Sequence, residues 1–276
     1  MTQNKKTILG NGITQLNRRM FRMRKIIIII MIAVLFCGVG YAADMTIDKI
    51  IDRVDAMVPQ TTTIMTCRQK IITSTGRERN FTIAVWGDNK NDNQTMVYLS
   101  PASVQGTVFV MLHGGDEIWT YFSDSKRLRQ LAASSKNQKV MGSDFTYDDM
   151  SSQKKTGRYS FRLLGEELCQ WKMCYKIECI PNEKGPDCDK EIIWVRKDRF
   201  IPVQAEIYDN GKKEPIKRMI IGNYRMFGQY IVACKISMTN LQKGSTTEFY
   251  IDKAYYDVSL SANVFNPSEY KHGMTH

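Results

Sequence analysis

The sequence predicts a mainly β protein organised as one large antiparallel sheet. Thirteen short runs rich in β-branched and aromatic residues follow one another between residues 66 and 252. Turn-forming clusters at 88–93, 182–187, Asn210-Gly211 and Lys243-Gly244 punctuate them at regular intervals. No helical pattern alternates with the runs, which excludes a Rossmann-like arrangement.

The elements follow in order. Seven basic residues and no acidic one fall within residues 1–42, where Arg18–Lys25 precede an apolar stretch over 26–39 and the small residues of Gly40-Tyr41-Ala42. A basic region, an apolar core and small residues at the cleavage offsets are the pattern of a secretory signal peptide, here 1–42. The apolar stretch is short for a membrane span, and Phe36 before Cys37 is too bulky for a lipoprotein cleavage site. One domain, 43–276, follows. Ile47, Ile50, Ile51, Val54, Met57 and Val58 fall on one face of a helix, with Thr46 placed to cap it and Pro59 to end it.

Strands are expected at 66–74, 79–87, 95–99, 107–112, 118–122 and 127–131. After a short helix come seven more, at 159–164, 174–180, 190–196, 203–209, 216–224, 230–239 and 245–252. Gly114-Gly115 suits a tight hairpin turn whose central residues need positive φ. Ser143 or Asp144 is placed to cap the short helix over 144–150, which carries Phe145, Tyr147 and Met150. Several strands are apolar at both parities: Val108, Val110 and Leu112 alternate with Phe109 and Met111, and Trp119 and Tyr121 with Ile118 and Phe122. A sheet with one wet face alternates cleanly, so both faces are covered or one lines a cavity. The pattern alone leaves a sandwich core and a cavity both open.

Composition narrows the function. The net charge of +11 is carried largely by the leader; without its seven basic residues, 32 Lys and Arg face 28 Asp and Glu, an excess of +4. That is no nucleic-acid footprint, which needs basic residues concentrated on one face. His113-Gly114-Gly115 resembles a lipase oxyanion loop only superficially, because no G-x-S-x-G nucleophile elbow accompanies it. The adjacent carboxylates Asp148-Asp149 and Glu166-Glu167 do not face each other on a helix or strand. No Walker loop, HExxH or dinucleotide fingerprint occurs. The chain reads as a non-enzyme without a cofactor.

Six cysteines follow the leader: Cys67, Cys169, Cys174, Cys179, Cys188 and Cys234. An even count in an exported chain reads as disulfides, and six allow about fifteen pairings. Cys179 and Cys188 flank a Pro/Gly loop between two strands and are candidates to meet. Spacings of four, four and eight residues in the 169–188 group do not match a structural zinc site.

One stretch carries a resemblance. Pro101 and Gly106 precede an apolar strand, Asp116, Trp119 and Tyr121 form D-x-x-W-x-Y, Arg127 and Arg129 mark a basic strand, and residues 141–149 read MGSDFTYDD. With the VSLSANVF tail ending at Phe265, this resembles the outer-membrane lipoprotein-sorting proteins, the LolA/LolB-like group, over roughly residues 45–270. Ser123-Asp124 depart from that group, which has a proline soon after W-x-Y. The resemblance implies a strongly curved antiparallel sheet forming an unclosed β-barrel, apolar on its concave face and lidded by helices. The first helix and the 144–150 helix are the candidate lids. It further implies a periplasmic carrier for the acyl chains of lipoproteins or lipids, loaded by an inner-membrane donor and relieved by an outer-membrane acceptor protein. Trp86, Leu112, Trp119, Tyr121, Phe145 and Met150 are the candidate lipid-binding residues. A periplasmic sensing or exporter-accessory module on the same fold is the alternative.

Overall fold

In a computed structural model, thirteen strands form a single antiparallel sheet in the order β6-β5-β4-β3-β2-β1-β13-β12-β11-β10-β9-β8-β7. The structure describes residues 45–132, 135–150, 156–182, 188–209 and 211–271. The expected signal peptide at 1–42 lies outside the described residues. All thirteen expected strands are present: β1 Thr62–Ile72, β2 Glu78–Asp88, β3 Asn93–Ser100, β4 Val108–Leu112, β5 Glu117–Phe122 and β6 Arg127–Gln130 in the first half. The second half is β7 Tyr159–Cys169, β8 Lys172–Pro181, β9 Lys190–Arg196, β10 Pro202–Tyr208, β11 Lys217–Phe227, β12 Tyr230–Asn240 and β13 Ser245–Tyr256.

The chain starts in the middle of the sheet. From β1 it meanders outward to β6 at one edge, resumes with β7 at the other, and meanders back to β13 beside β1. Edges β6 and β7 do not pair with each other, so the sheet stays open rather than closing into a barrel. There is no second sheet among the described residues, which removes the sandwich alternative. The β4–β5 connection is longer than the two-residue turn expected: His113, Gly114 and Gly115 all hold positive φ (53°, 69° and 93°) before Asp116 leads into β5. His113 is thus a hairpin shoulder; its N–H donates to the Asn93 side-chain oxygen.

The helix α1 spans Ile47–Asp55 and buries Ile50, Ile51 and Val54, the face the 3.6-residue period selects. It stops before Met57 and Val58, whose N–H groups bond three residues back and tighten its end. Thr46 takes the extended N-cap conformation without a side-chain bond. α1 packs against β7 and lays the Arg53 guanidinium 4.6 Å over the Phe200 ring, which stacks on Tyr175 of β8.

The expected second helix does not form. Residues 140–142 make a 3-10 turn in which Met141 has φ +52°, and 143–150 are turns and a single bridge, Lys139 to Thr146. The physical reason is that the polar side chains which would cap a helix there bond elsewhere, as the site geometry shows. Residues 135–150 form instead a strap laid across one face of the sheet, here called the inner face.

Candidate functional site

Strand pairing sorts the apolar residues into two faces. On the inner face of the first half stand Ile71, Phe81, Ile83, Met96, Tyr98, Phe109, Met111 and Ile118, packed in one cluster with Val140 and Tyr147 of the strap. Phe81, Tyr98, Phe109 and Phe122 run across β2–β5 in edge-to-face contacts of 5.5, 5.9 and 6.2 Å, and Tyr147 meets Phe109 at 5.7 Å. The strap then reaches the second half, where Phe145 packs with Ile207, Met238 and the partly buried Met150, and lies 5.2 Å from Phe249. The outer face of β2–β5 is also apolar, but its cover is the C-terminal segment: Val97, Val108, Val110 and Tyr121 bury with Tyr270. Thr95 and Tyr270 hydroxyls both donate to the Val264 carbonyl at 2.8 Å, fixing that segment in place.

The six sequence-selected residues therefore do not converge. Trp86, Leu112, Trp119 and Tyr121 share the outer face under the C-terminal segment, while Phe145 and Met150 belong to the strap on the inner face. Beside the first group, Trp119, Leu128, Arg127, Arg129 and Lys271 line a shallow surface cleft of about 460 Å³. A sheet covered on both sides loses its alternation, so VFVML in β4 does not say which parity the strap covers.

Polar bonds hold the strap down. Asp144 is 1% exposed; its carboxylate accepts from Ser245 Oγ at 2.6 Å, Lys139 Nζ at 3.0 Å and Thr247 Oγ1 at 3.1 Å, while its own N–H donates to Thr247. Ser143 closes a local loop with Phe145, and Thr146 and Asp149 bond each other reciprocally. Asp149 also pairs with Lys217 of β11 at 2.9 Å, and Asp148 with Arg158. From β2, the Arg79 guanidinium donates to the carbonyls of Met141 and Gly142. Gly142 holds φ +74°, a backbone conformation that favours glycine.

On the inner face of β1, β2 and β11–β13, Met65, Val85, Ile221, Ile236 and Ile251 are half-buried, Val85 packing on the Phe109 cluster and Ile236 on the Phe145 cluster. Gln69, 1% exposed on the same face, accepts from the Tyr98 hydroxyl but leaves its Nε2 without a partner among the described residues. Cys67, Cys169, Cys174 and Cys234 are free thiols in this structure. Burial pushes Cys67 up to about 12 and Cys169 up to about 11, which keeps both protonated and unreactive. Among the described residues no cluster of His, Cys, Asp or Glu is arranged to hold a metal ion. No described helix is long and apolar enough to cross a membrane.

Comparison with known proteins places this geometry. A family model described only as an uncharacterized protein matches residues 90–271, which include the strap, most of the sheet and the C-terminal segment. The chain belongs to that family. Its fold is LolA-like. A domain from Vibrio parahaemolyticus, described as an outer membrane lipoprotein-sorting protein, superposes with a TM-score of 0.75 at 25% identity, covering 81% of this chain and 97% of that one. A DUF1329 family protein from Desulfovibrio piger gives 0.73 at 23% identity, over 79% and 95% of the two chains. A LolA superfamily protein from Nitrosomonas europaea gives 0.68 at 20%, over 80% and 97%. No curated protein matches the sequence. In this LolA-like chain the MGSDFTYDD stretch is the latch of the strap, a role its helix-cap composition does not announce.

Proposed function

We propose that this LolA-like chain is a periplasmic carrier that shelters an acyl chain of a lipoprotein or lipid on its inner face and passes it toward the outer membrane. The observation that carries the reading is the nature of the inner face's cover. A broad apolar sheet surface is covered by a single latched strap, with one helix packed on β7, and half-buried apolar residues continue at the margins of the strap's clusters.

Burying a chain of about fifteen methylenes is worth on the order of 12 kcal/mol at ~0.8 per CH₂. Dispersion and apolar burial supply that without directional bonds, so cargo of varied shape can enter and leave. The strap fills the trough over β2–β5 in the closed form: Phe109, Met111 and Val140 are all but inaccessible. Loading therefore requires the strap to lift, with Met238, Phe249 and Tyr98 becoming cargo contacts as Phe145 and Tyr147 leave them. The free Nε2 of Gln69 then meets the polar end of the cargo's acyl group.

Neighbouring residues on β11 test the face assignment. Ile221 faces inward opposite Ile236, whereas Ile220 faces outward opposite Gln204. Both are half-buried. Ile221→Asp should abolish loading of a fluorescent long-chain fatty acid, and Ile220→Asp should leave it intact, with urea unfolding confirming that both are folded. Equal loading of the two variants would refute the carrier reading.

A further inference from the structure

We infer that the tip of the β7–β8 hairpin is a docking surface for an anionic lipid bilayer. Trp171 at its turn is 90% exposed, and the cross-strand pair Leu168 and Met173 behind it is 63% and 49% exposed. Leu163, Leu164 and Ile180 add further exposed apolar surface along the same two strands. Isolated surface leucines need no explanation, but three large apolar side chains exposed together at one hairpin tip, Leu168, Trp171 and Met173, mark an interaction site.

Local structure gives no folding reason for the tryptophan. Gln170 and Trp171 hold φ of +48° and +64°, the left-handed pair of a tight hairpin turn, where Gly, Asn or Asp is the ordinary choice. A large apolar side chain held there against local preference, with almost no contact to the rest of the protein, points outward for a purpose. The base beneath it is firm. Cys169 and Cys174 pack with Ile192, Trp194, Val203 and Tyr208; Gln170 donates to the Val203 carbonyl at 2.7 Å, and the Lys197 N–H to the Met173 carbonyl at 3.1 Å.

Charge selects the partner. Lys172 and Lys176 on the hairpin and Arg196, Lys197 and Arg199 on the adjoining end of β9 and its turn stand against Glu166, Glu167 and Asp198, an excess of two positive charges that the Glu206–Arg218 pair leaves unchanged. Lys176–Glu167, Lys197–Glu166 and Arg196–Asp198 are ion pairs, which leaves Lys172 and Arg199 outside them. Tryptophan settles at the headgroup level of a bilayer, and flanking Lys and Arg draw it to anionic lipid. A bilayer thus satisfies both halves of the tip, the apolar turn and its basic collar. The inference stands on this hairpin alone and needs no cargo.

The experiment is vesicle sedimentation of the full protein with phosphatidylglycerol-containing vesicles and with phosphatidylcholine alone, at low and high salt. Binding to the anionic vesicles, weakened by salt, is expected. Trp171→Ser and Lys172→Glu should each weaken it by roughly tenfold, while fatty-acid loading and unfolding midpoint stay unchanged because both side chains are exposed. Absence of binding to anionic vesicles, equal binding by Trp171→Ser, or a tip that is captured only by another protein would overturn the inference.

Discussion

Asp144 shows how one side chain decides an element. Composition suggests a helix cap, because Ser and Asp before an apolar residue satisfy first-turn N–H groups. Here the carboxylate spends its acceptors on Ser245 and Thr247 of β13, about a hundred positions along the chain, and on Lys139. A buried carboxylate with that many charge-assisted bonds is costly to lose. Asp144→Ala leaves the Thr247 and Ser245 hydroxyls facing a void, so urea unfolding should show a loss of about 3 kcal/mol, and Asp144→Asn a smaller one. A change below about 0.5 kcal/mol, the usual range for inconsequential surface substitutions, would mean that the latch is not made in solution. The motif was legible in the sequence; its partner was not, since nothing in a linear chain pairs residue 144 with residue 247.

At the scale of elements, strands read well and covers read poorly. Strands β1–β13 announce themselves through local composition and turn residues, and each lies within a few residues of its expected place. The strap has no period of its own. It is held by side chains of β2, β11 and β13 and by two aromatic rings, all long-range. That dependence is also what would let it move as a unit, since a segment without its own ladder opens once its few ties release. Tying it covalently tests this. A double substitution, Asp144→Cys with Thr247→Cys, places two thiols where the latch bonds now sit. Oxidation should slow fatty-acid loading by at least about tenfold, and reduction should restore it, as expected for a closed lid that gates entry. Loading at one rate in both states would mean that cargo enters without strap movement.

For the whole molecule, an open sheet with a middle-out chain path explains why the sequence left the faces ambiguous. The first half of the sheet is covered twice, by the strap on the inner side and the C-terminal segment on the outer, so apolar residues occupy both parities of β3–β5. Trp119 and Tyr121, the most conspicuous aromatics of the D-x-x-W-x-Y motif, lie on the outer face beneath the C-terminal segment, whereas Phe109 and Tyr98, embedded in ordinary strands, form the inner floor. Only tertiary context separates them. The two halves meet at β1–β13, which puts the strap's anchor on the central strand and the basic, tryptophan-tipped hairpin at the far edge. If the inner face holds an acyl chain, some of it should travel with the protein. Mass spectrometry of organic extracts from protein purified without detergent is therefore the most direct measurement. Acyl lipid recovered in near-equal proportion to folded protein, and lost in Ile221→Asp, is the predicted result; folded protein that carries none, even after exposure to membranes, would contradict the account.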